Sequence, residues 1–589
     1  MADAESENEL SGDEIVDDVG RFDLININRI DGNELERQWL NLVGDSDDEE
    51  EFEGFEAADI YQHREFDNWR KTINPRNIHE FEERVGPVRN FDTSATALNY
   101  FQCFYTEEVF ETIVNFTNLN ALRKRAANAG HKGVWTEVTV PEIKAFYGLL
   151  ILMDVMKFER EELYWSDNKE FPLVRSKFGE IMPRDRFVQI KRYLHFSDDA
   201  GNNQGDKLRK IRFILDHCRD KFQSEYVPHR EISVDEAMIP FKGRLGMKQY
   251  MKDKPVKFGI KMWVAADAVS AYCVNFEVYV GKNDTAINRT FGLSSRVVIE
   301  ITKFLELKGY VIFTDNFYTS PQLADYLFSR GTYLCGTVRT NRKGFPKPLV
   351  KSQAEQRRLE RGDFDWLMCG PLLASFWKDN SIVYYLSTFH APEDEQLRTN
   401  RKNKDGTLNE LTATPTQKAY AQYMGGVDRL DQMTRINKEK KSMRWYRKIE
   451  VKLREVSIYN AYVLEGCVMD HDGPKKRKRD LMSFKLELAH SLIGDFSCRK
   501  AFKRPRTDND EVRLDFKEHW PKAAGGNDHV CVVCNKKHRN YLASHPGCSY
   551  KDNPFKRTKT SMACQKCDVP LCCNAKNSCF VDYHTKVYY

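Results

Sequence analysis

Ile232-Ser233-Val234-Asp235-Glu236 and Val311-Ile312-Phe313-Thr314-Asp315 are the two stretches on which the reading of this chain turns. Each is a short apolar run rich in β-branched residues, which predicts a strand, and each places an aspartate within the strand or at its carboxyl end. A carboxylate among apolar strand residues is costly to bury without a partner, and the carboxyl edge is where α/β sheets gather their ligands. A third acidic element, Tyr423-Met424-Gly425-Gly426-Val427-Asp428-Arg429-Leu430-Asp431, follows a helical pattern; Asp428 and Asp431, three apart, share one face. Cleavage of a phosphodiester by two divalent ions requires carboxylates from distant parts of a chain, converging on ions roughly 3.5–4 Å apart. Two carboxylates at about 4 Å repel by about 4 kcal/mol at an effective dielectric near 20, so four such acids brought together call for bound cations, here Mg²⁺ or Mn²⁺.

Outward from these acids the pattern orders itself. At residue 231 the apolar period changes from helical to alternating, and Ile232, Val234, then Val274, Phe276, Val278 and Val280 mark strands. A helix over Ser294 to Lys308, the strand Val311 to Phe313, a helix over Gln322 to Ser329 and a strand from Tyr333 to Val338 follow. Three strands and then helix, strand, helix, strand is the order of an RNase H-like sheet. The expected architecture is therefore multidomain α/β: an RNase H-like core over 231–344, a β-rich insertion over 345–412, and a return to the core over 413–436 with the third aspartate. Upstream, Tyr105, Val109, Phe110, Ile113, Val114 and Ile143, Phe146, Tyr147, Leu150, Ile151 recur at helical spacing, so 91–230 reads as the first part of a helical domain. Residues 437–510 read as its second part and a basic linker. Residues 1–90 carry few sustained apolar patterns and are expected to be acidic and largely disordered, with order beginning near Asp92.

The blocks around the acids resemble those of piggyBac transposases: Ser233-Val234-Asp235-Glu236-Ala237-Met238-Ile239-Pro240-Phe241-Lys242-Gly243-Arg244, Lys257 to Lys261, Thr314 to Ser320, Gly336-Thr337-Val338-Arg339 and Gly425 to Gln432. The resemblance spans about residues 90–470 and the cysteine-rich tail. It implies that Asp235, Asp315 and Asp428 form the catalytic triad, with Asp431 as an additional acid, all holding the catalytic metal. It implies cut-and-paste transposition: a nick at each transposon end, hairpin formation by the released 3′-hydroxyl, hairpin opening, and joining at a TTAA target. It also implies double-stranded DNA as partner, a homodimer, helical regions that serve dimerisation and DNA binding, and a tail that recognises the terminal repeats. A domesticated, transposase-derived chromatin or DNA-binding protein without mobilising activity is the alternative, and the intact acids weigh against it.

Composition agrees with a polyanion partner. The chain has 589 residues, 91 Lys/Arg and 87 Asp/Glu; residues 1–60 hold 3 and 21 of these, leaving 88 and 66 in residues 61–589, an excess of 22 positive charges. A basic body attracts nucleic acid through counterion release, and an acidic head, including Asp45 to Glu51, can compete for the same surface. At about 150 residues per domain the length predicts three or four domains. The longest apolar run, Phe146 to Met153, is far shorter than the roughly 18 residues of a membrane span, and no membrane or small-molecule substrate is expected. Arg244, Lys261, Arg339, Arg342 and Lys343 lie beside the acid blocks and are candidate phosphate contacts, since the guanidinium fork matches phosphate oxygens. Arg444 and Trp445, within Met443-Arg444-Trp445-Tyr446, could stack on or wedge DNA, and Trp445 serves equally well as core. Lys475 to Arg479 after Pro474 reads as a nuclear localisation signal, which predicts residence in the nucleus.

Eight of the 15 cysteines crowd into the last 59 residues. Cys531 and Cys534, then Cys564 and Cys567, are CxxC pairs able to bite a tetrahedral zinc. Cys572, Cys579 and His584 supply most of a second, cross-braced site, with the eighth ligand open between Cys573, Cys548 and His545. This zinc-binding domain spans 529–589 and is expected to hold two Zn²⁺; a single-zinc ribbon built from the two CxxC pairs is the alternative, and a cross-brace module can also bind protein.

Overall fold

The computed structural model describes residues 65–92, 94–127, 135–166, 178–198, 205–252, 254, 256–281, 286–392, 397–402, 406–435, 444–471, 479–498, 514, 519–524, 529–574 and 577–586. The acidic run 45–51 and all of the basic run 475–479 except Arg479 lie outside the described residues.

The alternating stretch beginning at residue 231 forms the centre of a nine-stranded sheet. Strands β1 (Glu231–Pro240), β2 (Phe258–Asp267) and β3 (Cys273–Val278) make an antiparallel meander, with β1 and β3 on opposite edges of β2. Strand β4 (Val311–Thr314) then pairs parallel to β1, and β5 (Tyr333–Thr337) parallel to β4. Parallel neighbours need crossovers, and two helices provide them: α6 (Ala286–Thr302) before β4 and α7 (Pro321–Ser329) between β4 and β5. Helix α6 begins earlier than its apolar period suggests, because two helical pieces join across Gly292 at φ +74°. Ser320 caps α7 by accepting from the Leu323 amide, and Pro321 occupies the first turn, where its missing N–H is harmless. On one face of the parallel pair Val311, Phe313, Tyr333 and Cys335 are buried, covered by Ala419, Tyr420 and Tyr423.

The segment expected as an insertion is not detached from this core. Its strands β6 (Phe364–Cys369), β7 (Leu372–Lys378) and β8 (Ile382–Ser387) form an antiparallel meander that joins the same sheet through β8 against β5. Among the described residues of this segment, only the hairpin Leu397–Lys402 with Leu408–Ala413 stands apart as a two-stranded piece. Local pattern marks these as strands, but cross-sheet pairing is a long-range choice that periodicity does not encode.

Upstream lie α1 (Ala97–Phe101), α2 (Glu107–Ala127), α3 (Val140–Val155), α4 (Arg184–Tyr193) and α5 (Arg212–Ser224). Downstream, one helical pattern in sequence resolves into α8 (Pro415–Tyr423), α9 (Gly426–Met433) and α10 (Trp445–His471), followed by α11 (Leu481–Ile493). Helix α10 is buried over most of its length, packs on α1, α5 and β1, and carries Glu450, Lys452, Arg454, Glu455, Asn460 and Glu465 inside the protein. These charges are paired, as burial demands: Glu450 with Arg454, Glu455 with Lys485, Lys452 with Asp431. Among the described residues no helix is long and apolar enough to cross a membrane.

The expectation that residues 65–90 lack order is corrected. They form an extended arm laid across the sheet. Arg70 pairs with Met368 of β6, the Asn74 side chain donates to the Gly370 carbonyl, the His79 amide donates to the Tyr333 hydroxyl, Phe81 meets Tyr310 edge-on, and Gly86–Pro87 pair with Tyr226–Val227. The arm has no apolar period because it is held by single polar anchors and isolated rings, which composition-based reasoning cannot distinguish from a solvated tail.

Candidate carboxylate and metal centres

The parallel register pairs Val234 with Thr314, so Asp235 and Asp315 follow at the same level of adjacent strands. After Asp315 the chain turns sharply: the amides of Tyr318 and Thr319 donate to the Asp315 carbonyl at 3.3 and 3.1 Å, and the Phe317 amide donates to its Oδ1 at 2.9 Å. That last bond aims the carboxylate. Gly336 of β5 must lack a side chain here, since a Cβ would come within 2.3 Å of Thr319 Oγ1 and 2.5 Å of the Thr314 carbonyl. The third acid arrives on α9, which packs on β1 and β2. This close approach requires Gly426, whose hypothetical Cβ would lie 2.2 Å from Ser233 Oγ. Asp428 is in the first turn of α9 and exposed. Asp431 is half-buried and engaged by Lys452 of α10, whose Nζ lies 2.7 Å from Oδ1 and 2.8 Å from Thr434 Oγ1.

Burial, reinforced by the neighbouring Glu236 carboxylate, pushes Asp235 well above the usual carboxylate range, and burial also raises Asp315. Burial also works against Glu236, but Lys254 and Lys261 outweigh it and hold that carboxyl below its ordinary value. Lys254 Nζ lies 3.4 Å from Glu236 Oε1 and donates to the Glu236 carbonyl at 3.3 Å. Although burial opposes it, the charged form of Lys254 is favoured by Asp235, Glu236 and Asp428 together, and Lys254 in turn acts on Asp315, so the three acid-bearing segments share one electrostatic field. The buried Tyr318 hydroxyl donates to Glu236 at 3.3 Å. Sequence reasoning missed Glu236, Lys254 and Tyr318 as members of the site: Glu236 is overshadowed by its neighbour, and nothing in the spacing of Lys252, Lys254 and Lys257 singles out the middle one.

Of the basic candidates, Lys261 of β2 joins this field, its Nζ 4.9 Å from the Phe317 ring centroid. Arg339 donates through Nε to Asn316 Oδ1 at 3.3 Å, and Arg342 donates to the carbonyls of Asn316 and Phe317, so both reach the turn after Asp315. Arg244 and Lys343 are exposed on neighbouring loops. Arg444 lies elsewhere, donating to the Arg192 carbonyl at 2.6 Å at the end of α4, with Arg447 donating to the Leu194 carbonyl at 2.9 Å. Trp445 is half-buried, edge-on to Tyr446 at 5.8 Å.

The C-terminal module brings together two sets of ligand atoms, each set lying within 4.8 Å: His519, Cys564, Cys567 and His584; and Cys531, Cys534, Cys572 and Cys579. Among the described residues no three carboxylates converge as closely. Cys534 Sγ is 3.5 Å from Cys579 Sγ and 3.9 Å from Cys572 Sγ, and His519 Nδ1 is 3.5 Å from the sulfurs of Cys564 and Cys567. Tetrahedral coordination with metal–sulfur bonds of about 2.3 Å requires edges of about 3.8 Å, so both sets fit such an ion. The His584 Nδ1–H donates to the Phe580 carbonyl at 2.7 Å, which leaves Nε2 as the ligand atom. Two expectations are corrected here. The eighth ligand position falls to His519, not to Cys573, which is exposed, to Cys548, or to His545, which stacks on Tyr541 at 4.1 Å. The two CxxC pairs belong to different sets, interleaved along the chain, which excludes a single-ion ribbon made from both. His519 precedes the cysteine run without a close-spaced partner, so no motif announces it.

A family model described as Transposase IS4 matches residues 96–462. The human PiggyBac transposable element-derived protein 3 is 28% identical over 507 residues, covering 84% of this chain and 77% of that protein. The human PiggyBac transposable element-derived protein 5 is 24% identical over 445 residues, covering 72% of this chain and 81% of that protein. Among solved structures, the piggyBac transposase synaptic complex with hairpin DNA, determined by cryo-EM, superposes with a TM-score of 0.62 at 24% identity, covering 83% of this chain and 98% of that one, a likeness of fold. With the family's match running through all three acidic segments, this chain belongs to the piggyBac family of transposases.

Proposed function

We propose that the chain is a metal-dependent DNA transposase whose sheet is of the RNase H type and whose reaction centre is built on Asp235, Asp315 and Asp428, with Asp431 as a fourth acid. One observation carries the proposal: two acids at the same level of adjacent parallel strands, with the helix bearing Asp428 seated on β1 at Ser233. An all-oxygen donor set suits Mg²⁺ or Mn²⁺, and the burial that disfavours ionised Asp235 and Asp315 is relieved by cations. When bound, such ions activate the attacking oxygen and stabilise the leaving one. The protein's part is to hold the acids in register, to keep Lys254 and Lys261 as standing counter-charges, and to place Arg339 and Arg342 beside the Asp315 turn where a phosphate would enter. Arg244, Lys343, Arg444 and Trp445 are proposed as outlying DNA contacts.

On this reading each chemical step is an in-line displacement at phosphorus: water nicks each transposon end, the freed 3′-hydroxyl attacks the opposite strand to give a hairpin, water opens it, and the 3′-hydroxyl joins to a TTAA target. The two C-terminal sets would each take Zn²⁺ and present the module to the terminal repeats of double-stranded DNA. Homodimer formation through the helical regions 91–230 and 437–510, and nuclear import through residues 475–479, complete the proposal.

Its test is a cleavage and joining assay with the purified full chain, transposon-end DNA and Mg²⁺, comparing wild type with Asp315→Asn. Hairpinned ends and TTAA joining that vanish in the variant are expected. Metal-independent binding to cognate ends without cleavage would favour the second reading, a domesticated DNA-binding protein, which draws its support from the names of the human relatives as element-derived proteins.

A further inference from the structure

The extended arm begins beside the loop that carries the arginines. Trp69 Nε1–H donates to the Gly344 carbonyl at 3.0 Å. Gly344 has φ +81°, and a Cβ there would come 2.8 Å from Phe66 Cδ2, so the arm seats on a backbone that only glycine supplies. The loop is drawn tight by its own turns, the Arg342 amide donating to the Arg339 carbonyl at 3.2 Å and the Phe345 amide to the Arg342 carbonyl at 3.1 Å. Arg342 in turn holds the carbonyls of Asn316 and Phe317, and the Phe317 amide holds Asp315 Oδ1 at 2.9 Å. An unbroken line of hydrogen bonds and covalent links thus runs from Trp69 through Gly344, Arg342 and Phe317 to the Asp315 carboxylate.

We propose that Trp69 is a positioning residue for Asp315: docking of the arm fixes the Arg339–Gly344 loop, and the loop fixes the turn that aims the carboxylate. The geometry gives the N-terminal arm a place in the reaction centre although none of its residues touches the acids. Preorganisation of this kind matters because metal ligands and phosphate-binding groups act only when held within a fraction of an ångström of their productive positions. What Asp315 does once aimed rests on the transposase reading; that Trp69 aims it does not.

Trp69→Phe keeps the ring and deletes the donor. In the full chain without DNA, hydrogen–deuterium exchange at the amides of Phe317, Tyr318 and Thr319 is expected to quicken about tenfold, the scale of one lost hydrogen bond. Asn74→Ala, which releases the arm at Gly370 but leaves Trp69 in place, is expected to change these amides less than about twofold. Gly344→Ala, which unseats the arm from the loop side, is expected to reproduce the Trp69→Phe pattern. On transposon-end DNA, Trp69→Phe should cut more slowly and need more Mg²⁺ for its half-maximal rate, with metal-free DNA affinity unchanged. Wild-type exchange at residues 317–319 in Trp69→Phe or in Gly344→Ala overturns the proposal, and so does equal quickening in Asn74→Ala, which would make the arm a general stabiliser. A chain that exchanges as expected but cuts no DNA even as wild type leaves the coupling intact and sinks the transposase reading instead.

Discussion

His519 and His390 illustrate how differently one residue type is used according to what surrounds it. His519 faces two thiols and a second imidazole, with its ring centroid 4.2 Å from that of His584, a four-donor set that suits one shared cation. Metal analysis of the full chain after gel filtration is therefore expected to give two ions per protomer in the wild type and about one in His519→Ala. Cys573→Ser and Cys548→Ser should both retain two; loss of an ion from either would reinstate it as a ligand. His390 instead is a buried side chain whose Nδ1 meets Ser387 Oγ at 3.0 Å, and burial, with Arg76 nearby, lowers its pKa from 6.5 to about 4. A depressed histidine is neutral when folded and protonates more readily when unfolded. Its stabilising contribution is complete above pH 6.5 and declines as pH falls towards 4. Between pH 7.5 and pH 5 the wild type should lose about 2 kcal/mol more than His390→Gln in denaturant titrations. Parallel curves for the two proteins would show that His390 does not carry this acid sensitivity.

Where elements meet around the clustered acids, individual close approaches fix their spacing, and these are open to test. Helix α9 lies against β1 at Gly426 and Ser233, where a methyl group at Gly426 would be only 2.2 Å from Ser233 Oγ. Gly426→Ala should destabilise by about 1–3 kcal/mol, the range for overpacking, and should depress cleavage further than stability because it displaces Asp428. Adding Ser233→Gly in that background should recover both; recovery of stability without activity would show that the position of α9 does not govern Asp428. On the outer strand of the meander, buried Asn460 of α10 accepts from the Cys273 amide at 2.9 Å and donates to its carbonyl at 3.0 Å, continuing the ladder with a side chain. Asn460→Ala leaves both backbone groups without that partner and is expected to lower the denaturation midpoint by about 1–3 kcal/mol equivalent. Asn460→Asp, which keeps only the acceptor, should recover less than half of that loss.

Across the whole molecule, charge is divided between a head and a body. Residues 1–60 contain 21 acidic and 3 basic side chains, against 66 and 88 in residues 61–589. Deleting residues 1–60 should raise affinity for nonspecific duplex DNA and steepen its dependence on salt, measured by fluorescence anisotropy between 50 and 200 mM salt. An unchanged slope would mean that the head does not compete for the basic surface. What the sequence determined by itself is whatever depends on local pattern and residue chemistry: the strands around Asp235 and Asp315, the helical return with Asp428, the family, and the residue types of seven of the eight side chains gathered in the two C-terminal clusters. These were legible because period, capping and short spacing act within a few residues. What only the tertiary structure decided is whatever depends on pairing across distance. Strands β6–β8 join the central sheet at β5, His519 completes a set whose other members lie far along the chain, Lys254 reaches Glu236, and residues 65–90 dock through isolated anchors instead of an apolar stripe. In each case the partners are fixed by the packing of the whole chain, and their energies come from one or two contacts that leave no periodic trace in the sequence.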